Sequence, residues 1–383
     1  MNTDSGDDMS VKMLYILNIA ERVNNFSYSA MCAARNLGIE FSIAGNWNYP
    51  DDAARRADEE KYGIKIYQID FIRAPYDPRN YKAYGQIKDI IAREKFDLIH
   101  CNTPIGGIVG RLAAEKCGVD KVIYQAHGFH FYKGAPFVNR TVFYNIEKLF
   151  AKYTDVLVTI NREDFEAAKA FKLKKGGRLK YVHGVGIDLS VYDGVAQHRK
   201  SKREELGLEH DDIAVISVGE LNSNKNNITI VKAMSKINNM HLHYFLCGVG
   251  EEEAAIKQYA SEHGLEKNIH FLGYRNDIKE LLSACDIFVM PSFREGLSRS
   301  LMEAMACGLP CVVSKIRGNT DLLKKGGGYL CAPASADEFA AAIGKCLKAD
   351  RKAMGAANME SVKRFDISIV TAEWEKIYKD VLL

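Results

Sequence analysis

The sequence lacks the features that mark several protein classes. It has no run of about 18 apolar residues, the length a spanning helix needs, so no membrane-crossing segment is expected. It has no Cys-x-x-Cys pair. Of its nine cysteines, Cys307 and Cys311 lie close together, but no nearby histidine completes a zinc set. Most cysteines sit in apolar runs, as Cys32, Cys247, Cys285 and Cys311 do, and read as small buried thiols of a reducing cytoplasm. No Gly-x-Gly-x-x-Gly follows the first apolar strand, which counts against a dinucleotide-dependent dehydrogenase. The acidic pairs Asp51-Asp52 and Asp211-Asp212 are not in strand-exit loops of the kind a metal site would use, so no metal is expected. An excess of charge is also missing. Lys and Arg number 52 against 49 Asp and Glu, and the net +3 is too small to argue for a nucleic-acid partner. Residues 1–10, MNTDSGDDMS, lack the basic and apolar regions of a signal peptide and read as a disordered leader.

What is present reads as a folded α/β chain. A length of 383 residues is long for one core, so two domains are the default. Short apolar runs alternate with helical stretches: VKMLYILN from Val11, IEFSIA from Ile39, DLIHC from Asp97, DVLVTI from Asp155. That pattern predicts doubly wound parallel sheets, with ligands gathered at the C-terminal strand ends. Polar, glycine-bearing exits follow two of these runs, Asn102 to Gly107 and Ala126 to Lys133. The second contains His127. The first domain is placed at 11–188, the second at 189–364, and a final amphipathic helix at 365–383.

The most informative stretch is Ile287 to Ser314, which predicts strand, loop, helix, turn and strand. Ser298 is positioned to cap a helix running to about Ala306, and Gly308 with Pro310 stops it. Such a helix mouth offers N–H groups and partial positive charge to a phosphate. Glu295 stands in the loop and Glu303 more than one turn into the helix. Their spacing alone is a weak signal, compatible with two solvated carboxylates. A second anion-binding candidate is the loop Gly219 to Asn227 after the strand Ile213–Val218, where Lys225 precedes a helix. In Cys247-Gly248-Val249-Gly250 the small residues either admit a nucleotide to the backbone or simply make a tight turn.

The sequence Ser-x-x-Glu-Gly, the helix Leu-Met-Glu-Ala-Met-Ala and Cys-Gly-Leu-Pro-Cys-Val-Val-Ser together resemble the donor-binding motif of family 4 glycosyltransferases. The resemblance extends along nearly the whole chain. It implies the GT-B fold, two Rossmann-like domains facing a cleft, with the last helix crossing back to the first domain. It also implies transfer with retention of configuration. The roles it implies are contact with the donor sugar for Glu295 and with the nucleotide ribose for Glu303. His127, in a His-Gly at a strand end, would touch the donor sugar, and Lys225 would meet the diphosphate. Further donor-side positions are Gly219, Glu220, Asn224, Gly248, Gly250, Arg294, Gly296, Leu297 and Ser298. Tyr274 and Arg275 belong to an exit that would hold the base mostly through backbone atoms. Acceptor-side candidates are Asn24, Asn25, Asn102, Phe129 and Tyr132. Many family members have Arg where Glu220 stands, and Arg294 or Arg299 is the candidate replacement for that charge.

The forms Gly-Glu-Leu-Asn-x-Asn-Lys-Asn and His-Gly-Phe-His-Phe-Tyr-Lys-Gly resemble the branch that assembles capsule, exopolysaccharide and lipid-linked oligosaccharides. That branch implies a UDP-sugar donor as substrate, no cofactor, and an undecaprenyl-diphosphate-linked acceptor. A UDP-N-acetylhexosamine epimerase of the same fold, a transferase with a soluble acceptor and a non-catalytic nucleotide-sugar-binding protein are the rival readings. Between Phe137 and Phe150 apolar residues recur at helical spacing with Arg140, Lys148 and Lys152 between them. This is either a core-facing helix or, with Phe129, Phe131 and Tyr132, a surface that meets a bilayer or a lipid acceptor. The basic run from Lys169 to Lys180 would suit anionic headgroups in a protein peripheral to the inner membrane face.

Overall fold

The computed structural model describes residues 10–20, 22–23, 25–74 and 77–383, with Asn25 described through its backbone alone. All but the last residue of the expected leader, together with Asn24 and the side chain of Asn25, lies outside the described residues. The chain divides into two units. One takes the chain up to Gly186 and returns for Ile367–Leu383, and the other is Ile187–Asp366.

In the first unit the strands are β1 (Lys12–Ala20), β2 (Glu40–Trp47), β3 (Lys65–Gln68), β4 (Leu98–Asn102), β5 (Lys121–Ala126), β6 (Val156–Thr159) and β7 (Arg178–Tyr181). Among the described residues they form one sheet in the order β3-β2-β1-β4-β5-β6-β7, every pair parallel. In the second unit β8 (Ile213–Val218), β9 (Leu242–Cys247), β10 (Ile269–Gly273), β11 (Ile287–Met290), β12 (Cys311–Ser314) and β13 (Gly328–Cys331) run β10-β9-β8-β11-β12-β13, again all parallel. Parallel strands are covered on both faces, so the central ones are mostly apolar, with a few buried polar residues such as His100 and Asn102 of β4. All four residues of β11 are buried.

Each sheet reverses its winding direction between two neighbouring strands, β1 and β4 in the first unit, β8 and β11 in the second. Loops leaving the C-terminal ends of such a strand pair diverge to opposite faces and open a crevice. The sequence places Gly219–Asn227 and Pro291–Ser298 at that point in the second unit.

The last helix, Ile367–Leu382, packs within the first unit. Trp374 and Tyr378 are buried there, His100 of β4 lies against both rings, and Asn36 donates to Glu375 at 2.6 Å. A buried ion pair also sits in this unit. Arg111 reaches Glu147 at 3.1 Å, donates to the Gly107 carbonyl, and lies over the Tyr124 ring, whose hydroxyl donates to Glu147.

The stretch expected as one helix from Phe137 is helical through Phe150, with a π-helical segment at Asn139–Phe143 that runs directly into the α-helix Tyr144–Phe150. Phe143, Ile146 and Phe150 face a cavity of about 160 Å³ that Pro104, Ile105 and Ile108 also line. Phe137, Val138, Val142 and Leu149 stay exposed. Phe129 and Phe131 correct the expectation that they meet a bilayer or an acceptor. Phe129 is 2% exposed, and its ring stacks on Phe131 inside the core. The basic run is also largely committed: Lys169 pairs with Glu166, Lys174 with Asp155, and Arg178 and Lys180 with Asp380.

Candidate active site

The loop after β8 is drawn onto the loop after β11 by a set of polar contacts. Asn224 accepts from the Phe293 amide at 2.8 Å through its carbonyl, and its side chain donates to the Arg294 carbonyl at 3.1 Å. Asn226 adopts a left-handed backbone conformation, φ 54°, which Asn tolerates better than most residues. Its side-chain NH2 donates to the Pro291 and Pro333 carbonyls. The loop held in this way carries Lys225, whose Nζ lies 2.8 Å from Glu295 Oε1. Both side chains are mostly covered, 23% and 14% exposed. Arg317, itself buried, donates from Nε to the Glu295 carbonyl and props the same loop from behind.

Glycines in this region serve close backbone contact. A Cβ on Gly248 would stand 1.9 Å from the Gly219 carbonyl oxygen, and one on Gly250 would stand 2.2 Å from that of Leu221. The exit of β9 therefore lies directly on the exit of β8, tied by Leu221 N–H to the Val249 carbonyl. That packing accounts for both glycines without a ligand. Gly219 has φ 143°, and the space a Cβ would take is bordered by the Lys225 side chain. Gly296 lies against Gly318, where a Cβ would meet the Gly296 carbonyl at 2.4 Å.

The helix Arg299–Ala306 begins as expected. Ser298 is buried and its Oγ accepts from the Leu301 amide at 3.3 Å. Leu297 packs against the core. Glu303 pairs with Arg299 one turn earlier, Nε to Oε1 at 2.8 Å. The Arg299 charge is thus engaged with the carboxylate expected to take the ribose. Arg294 is exposed and has no ion-pair partner among the described residues. Glu220 is exposed as well and accepts from Asn222 at 2.9 Å. At the β10 exit Tyr274 is 77% exposed. Arg275 turns away to form a two-pronged pair with Asp277 and a contact to Glu205, and these pairings hold the Asp277 carboxyl well below the usual range.

In the first unit His127 follows β5. Its Nε2 lies 2.9 Å from Asn102 Oδ1, its ring lies 4.1 Å from that of Phe26, and burial pushes its pKa down to about 3. Asn102, at the end of β4, is fully buried. Expected on the acceptor side, it instead holds neighbouring side chains of its own sheet. Tyr132 is part-buried. Asn226 and Arg317 are the supports that sequence reasoning missed. An Asn after the lysine, just ahead of a helix, was the available signal for the first, and nothing in the sequence signals the burial of Arg317.

Residues 198–360 match the family described as Glycosyl transferases group 1, and residues 50–161 the one described as Glycosyl transferase 4-like. The EpsD protein of Bacillus subtilis (strain 168), named as a glycosyltransferase, is 31% identical over 97% of this chain and 97% of its own. The UDP-Gal:alpha-D-GlcNAc-diphosphoundecaprenol alpha-1,3-galactosyltransferase of Escherichia coli is 30% identical over 74% of this chain and 77% of its own. Among solved structures, HepE of Anabaena in complex with UDP has a TM-score of 0.77 at 21% identity, covering 97% of this chain and all of HepE, a likeness of fold. The chain belongs to the family 4 glycosyltransferases and has their two-domain GT-B fold. It is a transferase that acts on nucleotide sugars.

Proposed function

We propose that the protein transfers a hexose or N-acetylhexosamine from a UDP-sugar, with retention of configuration, to an undecaprenyl-diphosphate-linked glycan. The observation that carries this reading is the pairing of Lys225 with Glu295 at the β8/β11 crevice. A departing UDP gathers negative charge, and a fixed cation beside a helix N-terminus stabilises it. In this proposal the donor diphosphate takes over Lys225, and Glu295, released, accepts hydrogen bonds from the sugar hydroxyls. Lys225 and the amides at Ser298 carry the leaving-group charge, with no resident metal. Glu303 is assigned to the ribose and His127 to the donor sugar. The acceptor class is supported by the Escherichia coli relative, whose name states a diphosphoundecaprenol substrate.

Exposed Phe137, Val138, Val142 and Leu149, with Arg140, Lys148 and Lys152 between and beside them, support peripheral contact with an anionic bilayer. Among the described residues no helix is long and apolar enough to cross a membrane.

The test is thermal stabilisation by UDP, GDP and a panel of their sugars, followed by transfer of the stabilising sugar to an undecaprenyl-diphosphate-linked acceptor. Stabilisation by UDP and one UDP-sugar, and a labelled lipid-linked product, are expected. Stabilisation by GDP-sugars alone, or transfer only to soluble sugars, would overturn the donor or the acceptor assignment respectively.

A further inference from the structure

Asn102 makes hydrogen bonds on both sides of its amide, and the chemistry of its partners decides which way the amide faces. On one side lie two backbone carbonyl oxygens, of Ile16 at 3.3 Å and of His100 at 3.5 Å. Carbonyls only accept, so the group facing them is the NH2. The amide oxygen then faces the other two partners, the Tyr15 hydroxyl at 3.2 Å and His127 Nε2 at 2.9 Å. With the amide reversed, its oxygen would confront two carbonyl oxygens inside a sheet where no water can intervene. An oxygen acceptor on His127 Nε2 requires that this nitrogen bear the proton. Burial keeps the ring from taking up a second one. Nδ1 is left bare, and it has no partner among the described residues.

We propose that Asn102 is a positioning residue that fixes His127 as the Nε2–H tautomer and leaves Nδ1 as a hydrogen-bond acceptor. The inference rests on the reading in which His127 meets the donor sugar, and it names the chemistry of that contact. His127 takes a group with an O–H to give, a sugar hydroxyl. It does not donate to a carbonyl, a phosphate or a ring oxygen. A donor whose contacted hydroxyl is replaced by fluorine, which cannot donate, loses the contact.

The experiment is a nitrogen NMR spectrum of the full-length protein labelled at histidine, read for which ring nitrogen of His127 carries hydrogen. The signal is assigned by its loss in His127→Gln. Wild type and Tyr15→Phe, which keeps the amide oxygen in place, are expected to show a single Nε2–H form at neutral pH. Asn102→Leu, close in volume and without a polar atom, is expected to show exchange between the two forms. Transfer by that variant should fall about tenfold, in kcat more than in KM, the worth of one hydrogen bond at the reacting sugar. A wild-type spectrum with hydrogen on Nδ1, or an Asn102→Leu spectrum unchanged from wild type, would overturn the proposal. Neither result depends on activity. Should His127→Gln transfer sugar at the wild-type rate, the donor-contact reading would fail while the spectrum still decides the role of Asn102.

Discussion

Lys225 and Glu295 lie 70 positions apart in the sequence, yet their charged atoms meet at 2.8 Å, each delivered by the loop that leaves one of two adjacent strands. An ion pair at this place holds both groups ready while keeping either from standing alone in a covered site. The two substitutions should therefore differ in kind. Lys225→Ala is expected to weaken UDP binding and to lower kcat/KM by roughly 100-fold, since it removes the cation that meets the leaving group. Glu295→Gln should bind UDP as well as wild type or better, because Lys225 is freed, while turnover of the UDP-sugar falls. Calorimetric titration with UDP beside single-turnover kinetics separates the two. Equal losses of UDP affinity in both variants would contradict the division of roles.

The glycines of the β9 exit carry a structural prediction. Gly248→Ala and Gly250→Ala force a methyl group onto a carbonyl oxygen and should cost about 1–3 kcal/mol or more. Gly344, inside the helix Ala336–Lys348 with open space where its Cβ would be, is the control. Gly344→Ala should stabilise by about 0.5–1 kcal/mol. Urea midpoints at constant slope read all three.

The Arg111–Glu147 pair is sealed beneath Tyr124 and Phe150. Arg111→Met strands a buried carboxylate and should destabilise by roughly 3–5 kcal/mol. Adding Glu147→Leu should recover much of the loss, since two apolar residues replace two charges. A double variant as unstable as the single one would show that packing dominates here.

Stability should fall in mild acid because of His100. This ring is fully buried between Trp374 and Tyr15, and burial lowers its pKa from 6.5 to about 3. Between those two values the unfolded chain binds a proton that the folded chain refuses, so acid favours unfolding. The stabilising contribution is complete above pH 6.5 and is lost as pH falls toward 3. At pH 5 the cost is about 2 kcal/mol relative to pH 8. His127, with its pKa also lowered to about 3, adds in the same direction. His100→Gln should flatten the dependence of the urea midpoint on pH over this range. An unchanged slope would mean that other groups govern it.

Association with lipid vesicles tests the exposed patch. Phe137→Ser together with Leu149→Ser should reduce sedimentation with phosphatidylglycerol vesicles and leave transfer to a detergent-solubilised acceptor near wild type. Raising salt should weaken what remains if Arg140, Lys148 and Lys152 contribute. Wild-type protein that ignores the vesicles at low salt would remove the membrane surface from the proposal.

The parts legible in the sequence are those whose signal is local. β8 and β11 bury both faces and are written as apolar runs. Ser298 caps its helix with its own side chain, and Lys225 stands just before a helix. The parts that were not legible depend on what comes together from a distance. Phe129 lies in a polar, glycine-bearing segment, and only its stacking on Phe131 and its edge-to-face contact with Phe171 show it to be core. Asn102 reads as one polar residue at a strand exit, although its partners come from the middle of β1, from its own strand and from the end of β5. The helix Arg351–Val362 has little apolar stripe because it docks backbone to backbone: Gly355 lies against Gly308, where a Cβ would stand 1.9 Å from the carbonyl oxygen. Contact of that kind leaves no periodic pattern to read.

The first unit is also completed out of order. Its sheet is made from residues before Gly186, but Trp374 and Tyr378, which cover His100, come from Ile367–Leu382. The second unit is one uninterrupted piece of chain. During synthesis the earlier half must therefore wait, with one flank uncovered, while the later half emerges and closes. A polypeptide halted after residue 366 should yield a protease-resistant fragment from its second unit and none from its first. Supplying a peptide of residues 367–383 should restore resistance to the first. In the growing chain, the half made first is the half most exposed to chaperones and proteases.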